Sequence, residues 1–235
     1  MWRSVLDGRR LTFHLAGINN QNFIMRDEET GSWWQQMTGM AIQGPLAGRA
    51  LERVFHDELT FRTWRRERPG GRVLRPGTDS AWVEFSEDWE RETAQYPVRV
   101  RRKLDSLLPP RTVIVGVEVD GVRKAYPLSA VERQSPLHDR FAGGTIVLVL
   151  DADGRSLRGF RAELDGQGVE LFRQPVADSL RLVDVGTASH WAFTGTAVSG
   201  PLAGRQLTPI LVHKDYWFNW KTYYPETLLY ALGSR

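Results

Sequence analysis

The 235-residue chain contains no cysteine. Disulfides, thiolate metal ligands and cysteine nucleophiles are excluded with it. The redox compartment stays open, because a chain without thiols is at ease in either environment. Lysine is nearly as scarce: Lys103, Lys124, Lys214 and Lys221 are the whole set, so the net charge of +3 rests on arginine. Basic and acidic residues are interspersed, which leaves no stripe for a nucleic acid or a membrane surface. No apolar run approaches the ~20 residues that span a bilayer, and the opening residues lack the charged-then-apolar pattern of a secretory signal. The chain is therefore expected to be soluble, with no nucleic-acid partner and no membrane span; its compartment is not specified. G-x-S-x-G, P-loop and dinucleotide-binding fingerprints are missing as well. The histidines, His14, His56, His138, His190 and His213, include no i, i+4 pair and fall in no ligand motif. No metal site and no cofactor is expected.

What the chain does have is a stretch written twice. Gly39-Met40-Ala41-Ile42-Gln43-Gly44-Pro45-Leu46-Ala47-Gly48-Arg49-Ala50-Leu51 returns as Gly195-Thr196-Ala197-Val198-Ser199-Gly200-Pro201-Leu202-Ala203-Gly204-Arg205-Gln206-Leu207. The register holds beyond it, with Trp64 on Trp220, Arg65 on Lys221 and Pro69 on Pro225. A match of this length is read as an internal repeat. Two glycines around a fixed-φ proline predict a shaped turn between strands, so Gly44–Gly48 and Gly200–Gly204 are assigned to backbone shape rather than to ligand contact.

Around the repeats the periodicity is that of short strands. Asp7-Gly8, Asp120-Gly121, Asp153-Gly154 and Asp165-Gly166 suit tight hairpin turns. Leu11–Leu15, Phe23–Met25, Ser32–Met37, Val113–Val119 and Thr145–Leu150 read as strands. Short amphipathic helices are predicted for Asp57–Arg68 and Asp215–Tyr224, and Arg72–Leu74 reads as a closing strand. The fold class is mainly β (a β-rich α+β protein), built as two pseudo-repeated small β units, each with a short tryptophan-bearing helix. The expected boundaries are a first unit at 1–75, a linker at 76–110, and hairpins plus the second repeat at 111–235.

Two functions of different kind fit these residues. One is a non-enzymatic module for a small polar ligand or a protein partner, because no catalytic motif is assembled. Its surface would use Asn19, Asn20, Gln21, Ser32, Trp34, Gln35, Gln36, Thr38, Arg49 and Arg205. The other is an enzyme, or a truncated redox or metal protein, with a polar site between the repeats; His14, Asp27, Gln36 and His190 are its candidates. Nine tryptophans, several beside side-chain amides, suit carbohydrates or other flat polar ligands through stacking plus directed hydrogen bonds. Trp64 and Trp220 are expected to fill cores instead. Arg62, Arg65, Arg66, Arg68, Arg72 and Arg75 read as a solvated face. His56-Asp57 and His213-Lys214-Asp215 precede the two helices, and helix capping by the acids is the favoured role.

The segment Asp27, Thr30-Gly31-Ser32, Trp34, Gln36, Thr38-Gly39 and Gly44-Pro45-Leu46-Ala47-Gly48, followed by Trp64 and Pro69, resembles a bacterial and archaeal family. Its pattern is D-x-x-T-G-S-x-W-x-Q-x-x-G, then G-P-L-A-G, then a tryptophan-bearing helix before a proline. Val113 to Leu128, ending Ala125-Tyr126-Pro127-Leu128, is similar to a second segment of the same group, domain of unknown function 3179. The resemblance brings no established activity. It implies a Cys-Pro-Leu-Cys-like segment just before Val5, which the chain, opening at Met1, does not carry. Either the chain is a shortened relative or its start is placed late, and thiol redox or metal chemistry of those cysteines does not transfer to it.

Overall fold

The computed structural model describes residues 1–74, 88–101, 103–174 and 180–231. Arg75 of the arginine run and part of the expected linker lie outside them. Within them the protein is β-rich, with four sheets of four strands, two small hairpins and four helices of 7 residues each. The helices are α1 (Phe61–Glu67), α2 (Trp89–Gln95), α3 (Leu128–Gln134) and α4 (Trp217–Tyr223).

The first sheet is an antiparallel meander of Phe13–Asn19, Asn22–Asp27, Trp33–Gln35 and Ala41–Gln43. A second meander has the same order: Leu171–Gln174, Arg181–Asp184, His190–Trp191 and Ala197–Ser199. Each follows a hairpin turned by Asp-Gly, at Asp7-Gly8 and at Asp165-Gly166. In both hairpins the aspartate takes a 2.6 Å bond from the arginine that closes the glycine-proline loop, Arg49 to Asp7 and Arg205 to Asp165.

Between the meanders lie two further sheets. One is ordered Val212–Tyr216, Val113–Val119, Val122–Pro127, Leu228–Leu229, its last strand parallel. The other is ordered Pro209–Ile210, Leu157–Arg161, Gly144–Leu150, Leu137–Phe141. They pack face to face through Val115, Val117, Ile146, Leu148 and Leu157. Strand Gly144–Leu150 is buried on both sides: Ile146 and Leu148 face that core, and Val147 and Val149 face the second meander with Trp191 and Leu182. This is why its sequence is an unbroken apolar run rather than an alternating one. The outer side of the other central sheet, at Ile114 and Ala125, is covered by Trp217 and Trp220 of α4 and by Met37 of the first meander. The layers thus run first meander, α4, two central sheets, second meander.

The meanders share one hydrogen-bonded corner. Asp27, fully buried, accepts bonds from the Thr30 backbone N (2.6 Å), the Thr30 hydroxyl (2.8 Å) and Trp34 Nε1 (2.8 Å). Asp184 does the same with Thr187 N (2.7 Å), the Thr187 hydroxyl (2.9 Å) and Trp191 Nε1 (3.0 Å). Ser32 Oγ accepts from Leu46 N at 3.0 Å, and Ser189 Oγ from Leu202 N at 3.0 Å, tying each corner to its glycine-proline loop. Burial alone would raise both carboxyls, but these donors outweigh it and hold both below the ordinary aspartate value.

Candidate functional site

Segment 55–58 leaves the first meander and lies against the central sheets, with Glu58 bridging to Leu157. In extended chain successive side chains point to opposite sides. Asp57 therefore faces one way, and His56 and Glu58 the other. Each side collects a separate polar group.

On the Asp57 side, Arg158 projects from the Leu157–Arg161 strand, nearly buried at 9 % side-chain exposure. Its Nη2 donates to Asp57 Oδ2 at 2.7 Å, and its two terminal nitrogens donate to both oxygens of Glu67 at 2.8 Å. The guanidinium also lies 4.7 Å from the Phe193 ring centroid. Burial would lower the Arg158 pKa, but the bonds to Glu67 and Asp57 keep it well above its ordinary value. Two adjoining clefts, about 330 and 480 Å³, share Asp57, Glu67, Arg68 and Arg158. The smaller is bordered by Phe55, Thr194 and Gln206, and the larger by Phe61 and Trp64. Phe61 and Trp64 stack at 5.6 Å and 25°, with Phe61 59 % exposed. Helix α1 presents them because Thr60 caps it, accepting from Thr63 N; Thr60 in turn donates to Asp153 at 2.7 Å.

On the other side, His56, Glu58 and His213 bring one ligand-type atom each to within 4.8 Å of one another. His213 Nδ1 lies 2.8 Å from Glu58 Oε1, and the Lys214 backbone N donates to Glu58 Oε2 at 3.3 Å. His213 Nε2 is 3.9 Å from Asp215 Oδ2. Asp215 accepts from Tyr216 N (2.7 Å) and Asn219 Nδ2 (2.8 Å). Burial pushes the Asp215 carboxyl up to about 6 against those bonds and the charge of His213. Burial raises Glu58 too, but the bond from His213 and the charges of His213 and Lys214 leave it below the ordinary value.

The sequence-selected residues lie mostly elsewhere. Asp27, Ser32 and Trp34 form the buried corner. Asn20 Oδ1 accepts from Arg101 N, and Gln21 bonds Pro97 O and Arg99 N, so both amides hold segment 97–101. Gln35 donates to the Tyr223 hydroxyl at 2.8 Å and accepts from Met37 N; that hydroxyl donates to the Asn19 carbonyl. Gln36 is exposed, its backbone O taking Trp2 Nε1 at 2.7 Å. The Thr38 hydroxyl accepts from Met40 N. Arg49 and Arg205 close the hairpin pairs. His14 is exposed, and His190 Nδ1 is 3.1 Å from the Ser199 hydroxyl. Among the described residues no hydrogen bond joins His14, Asp27, Gln36 and His190 to one another.

Three expectations about the helices change. Asp57 does not cap α1: the helix begins at Phe61 behind Thr60, and Asp57 serves Arg158. Asp215 sits before the α4 cap residue, Tyr216, and bonds Asn219. Trp220 is buried as a core residue, whereas Trp64 at the matching position is only partly buried and lines the larger cleft.

A layered antiparallel β protein with polar groups gathered on both sides of one crossing segment is the class that this geometry defines. The chain belongs to the family described as Protein of unknown function (DUF3179), which matches residues 1–227. No curated protein and no solved structure matches it.

Proposed function

We propose that the protein is a ligand-binding β module that grew from two copies of one small unit, with its ligand seat in the Arg158 clefts. The shared hydrogen bonds of the Asp27 and Asp184 corners support the duplication. The observation that carries the seat is the exposed Phe61 stacked on the partly buried Trp64 beside the Arg158 group. An aromatic face takes the flat side of a sugar ring, while Asp57, Glu67 and Arg158, already fixed in place, meet its hydroxyls without further ordering. Asp57 and Glu67 balance Arg158 and Arg68 in the shared lining, which favours a neutral ligand over a charged one.

Titration with cellohexaose and xylohexaose, followed by tryptophan fluorescence and calorimetry, tests this. Saturable binding is expected, weakened about tenfold by Trp64→Ala or Phe61→Ala, the loss of roughly 1–1.5 kcal/mol of stacking. Binding that survives both substitutions, or none with either oligosaccharide, refutes the seat.

A further inference from the structure

We propose that His56, Glu58 and His213 bind one divalent first-row transition ion, on the side of segment 55–58 that faces away from the Arg158 clefts. The site is independent of the ligand reading above.

Glu58 and His213 come from positions 155 residues apart, so their meeting is a product of the fold and not of local sequence. The three ligand-type atoms lie within 4.8 Å of one another. Bonds of about 2.0–2.1 Å in tetrahedral array place ligand atoms roughly 3.3 Å apart. Binding an ion requires the three side chains to draw together by that difference, and His213 and Glu58 are partly exposed rather than packed tight. The pair that already lies closest, His213 Nδ1 and Glu58 Oε1 at 2.8 Å, would turn both atoms toward the ion instead of toward each other.

The surroundings also suit metal-binding histidines, whose second nitrogen is ordinarily held by a carboxylate or a backbone carbonyl. His213 Nε2 faces Asp215, which is itself fixed by Tyr216 N and Asn219 Nδ2. His56 Nδ1 lies 3.1 Å from the Val54 carbonyl and 3.5 Å from the amino group of Met1. Lys214 is directed elsewhere, with Nζ on the Arg155 carbonyl at 2.9 Å. Side chains of His213 and Glu58 remain 31 % and 28 % exposed, so an ion has a path in. Two imidazoles and one carboxylate select zinc-like ions over calcium or magnesium, which prefer all-oxygen sets. The set also leaves a coordination position for water or a ligand atom. The competing account is a plain ion pair, in which a protonated His213 is satisfied by Glu58 and Asp215.

The test uses the full chain without a histidine tag. Zinc chloride is titrated calorimetrically at pH 7.5, and cobalt(II) binding is followed by visible absorption. Expected are one equivalent bound with a micromolar or tighter Kd, no displacement by millimolar calcium, and the intense cobalt bands of a four- or five-coordinate site. His213→Ala and His56→Ala should each weaken zinc at least tenfold. Glu58→Gln, which keeps the side-chain shape, should do so even where a histidine variant fails to fold. Trp64→Ala should leave zinc binding unchanged, so that loss of the saccharide seat and loss of the ion site read separately. Absence of saturable binding, a six-coordinate aqua-like cobalt spectrum, or an affinity indifferent to Glu58→Gln and to the folded histidine variants overturns the site and leaves the ion pair.

Discussion

Alanine at Gly44 tests whether the glycine-proline loops are shaped by their contact with the serine corner. Gly44 has φ +97°, and a Cβ there would stand 2.7 Å from Ser32 Cα and 2.9 Å from Ser32 Oγ. The first of these is backbone and cannot turn aside. Gly48, in the same loop, also has positive φ (+85°), yet a Cβ on it meets nothing within 4 Å. Gly48→Ala thus reports the left-handed backbone alone, about 1–2 kcal/mol for a residue with a Cβ. Gly44→Ala adds overpacking against a fixed neighbour, typically ~1–3 kcal/mol. It also disturbs the Ser32 Oγ that accepts from Leu46 N. The expected total is about 2–5 kcal/mol at Gly44. The second loop should repeat the contrast: Gly200 (φ +89°) has Ser189 Cα at 2.6 Å, and Gly204 (φ +83°) has open space. Urea unfolding of the four single variants, followed by tryptophan fluorescence, measures the differences. Equal costs within a loop, or a contrast present in one loop and absent in the other, would refute the reasoning.

Two more outcomes follow from buried polar groups. Asp27→Ala strands Trp34 Nε1 and the Thr30 donors in a site closed to water, and should cost about 3–5 kcal/mol by denaturant unfolding; a cost under 1 kcal/mol would mean that the corner is not holding the meander. His138 carries a pKa lowered by burial, against the charge of Glu170 and the Pro136 carbonyl, and its Nε2 accepts from Leu171 N at 3.1 Å. Because the folded value lies below the free histidine value of 6.5, stability is full above that pH and falls as acidification proceeds toward the folded value. His138→Gln should flatten that part of the stability–pH curve, and an unchanged slope would show that His138 is not the titrating group.

The strands were legible because their turn chemistry is local: Asp-Gly at residues 7, 120 and 165 marks hairpins that form as expected. The start of α1 was not. Arginine and aromatic periodicity pointed to Asp57, but Glu58 pairs with Leu157 across the fold, which keeps 55–59 extended until Thr60 caps the helix. Arg72–Leu74 forms no strand, and Leu137–Phe141 and Leu171–Gln174, strands in the structure, carry charged or short patterns that do not announce them. The resemblance of the two units also runs further back than the sequence comparison from Gly39 suggested. Trp34 is five residues before Gly39, while Trp191 is four before Gly195, and that one-residue difference hides the shared Asp-Thr-Ser-Trp corner from a gapless alignment. The amides of Asn20 and Gln21 looked available because sequence does not show that segment 97–101 returns to use them. The grouping of His56, Glu58 and His213 was invisible for a related reason: histidine spacing along the chain says nothing about residues joined by a crossing between sheets.

The crossing at Glu58 has a structural corollary. Residues from the first half of the sequence are stitched into the second at several places: Glu58 to Leu157, Arg53 to Glu118 at 3.1 Å, and Met37 O to the Tyr224 hydroxyl at 3.1 Å. Autonomy of either half is therefore forfeited, whatever the ancestry of the two units. Severed from its sibling, each part would expose the seam it now shares.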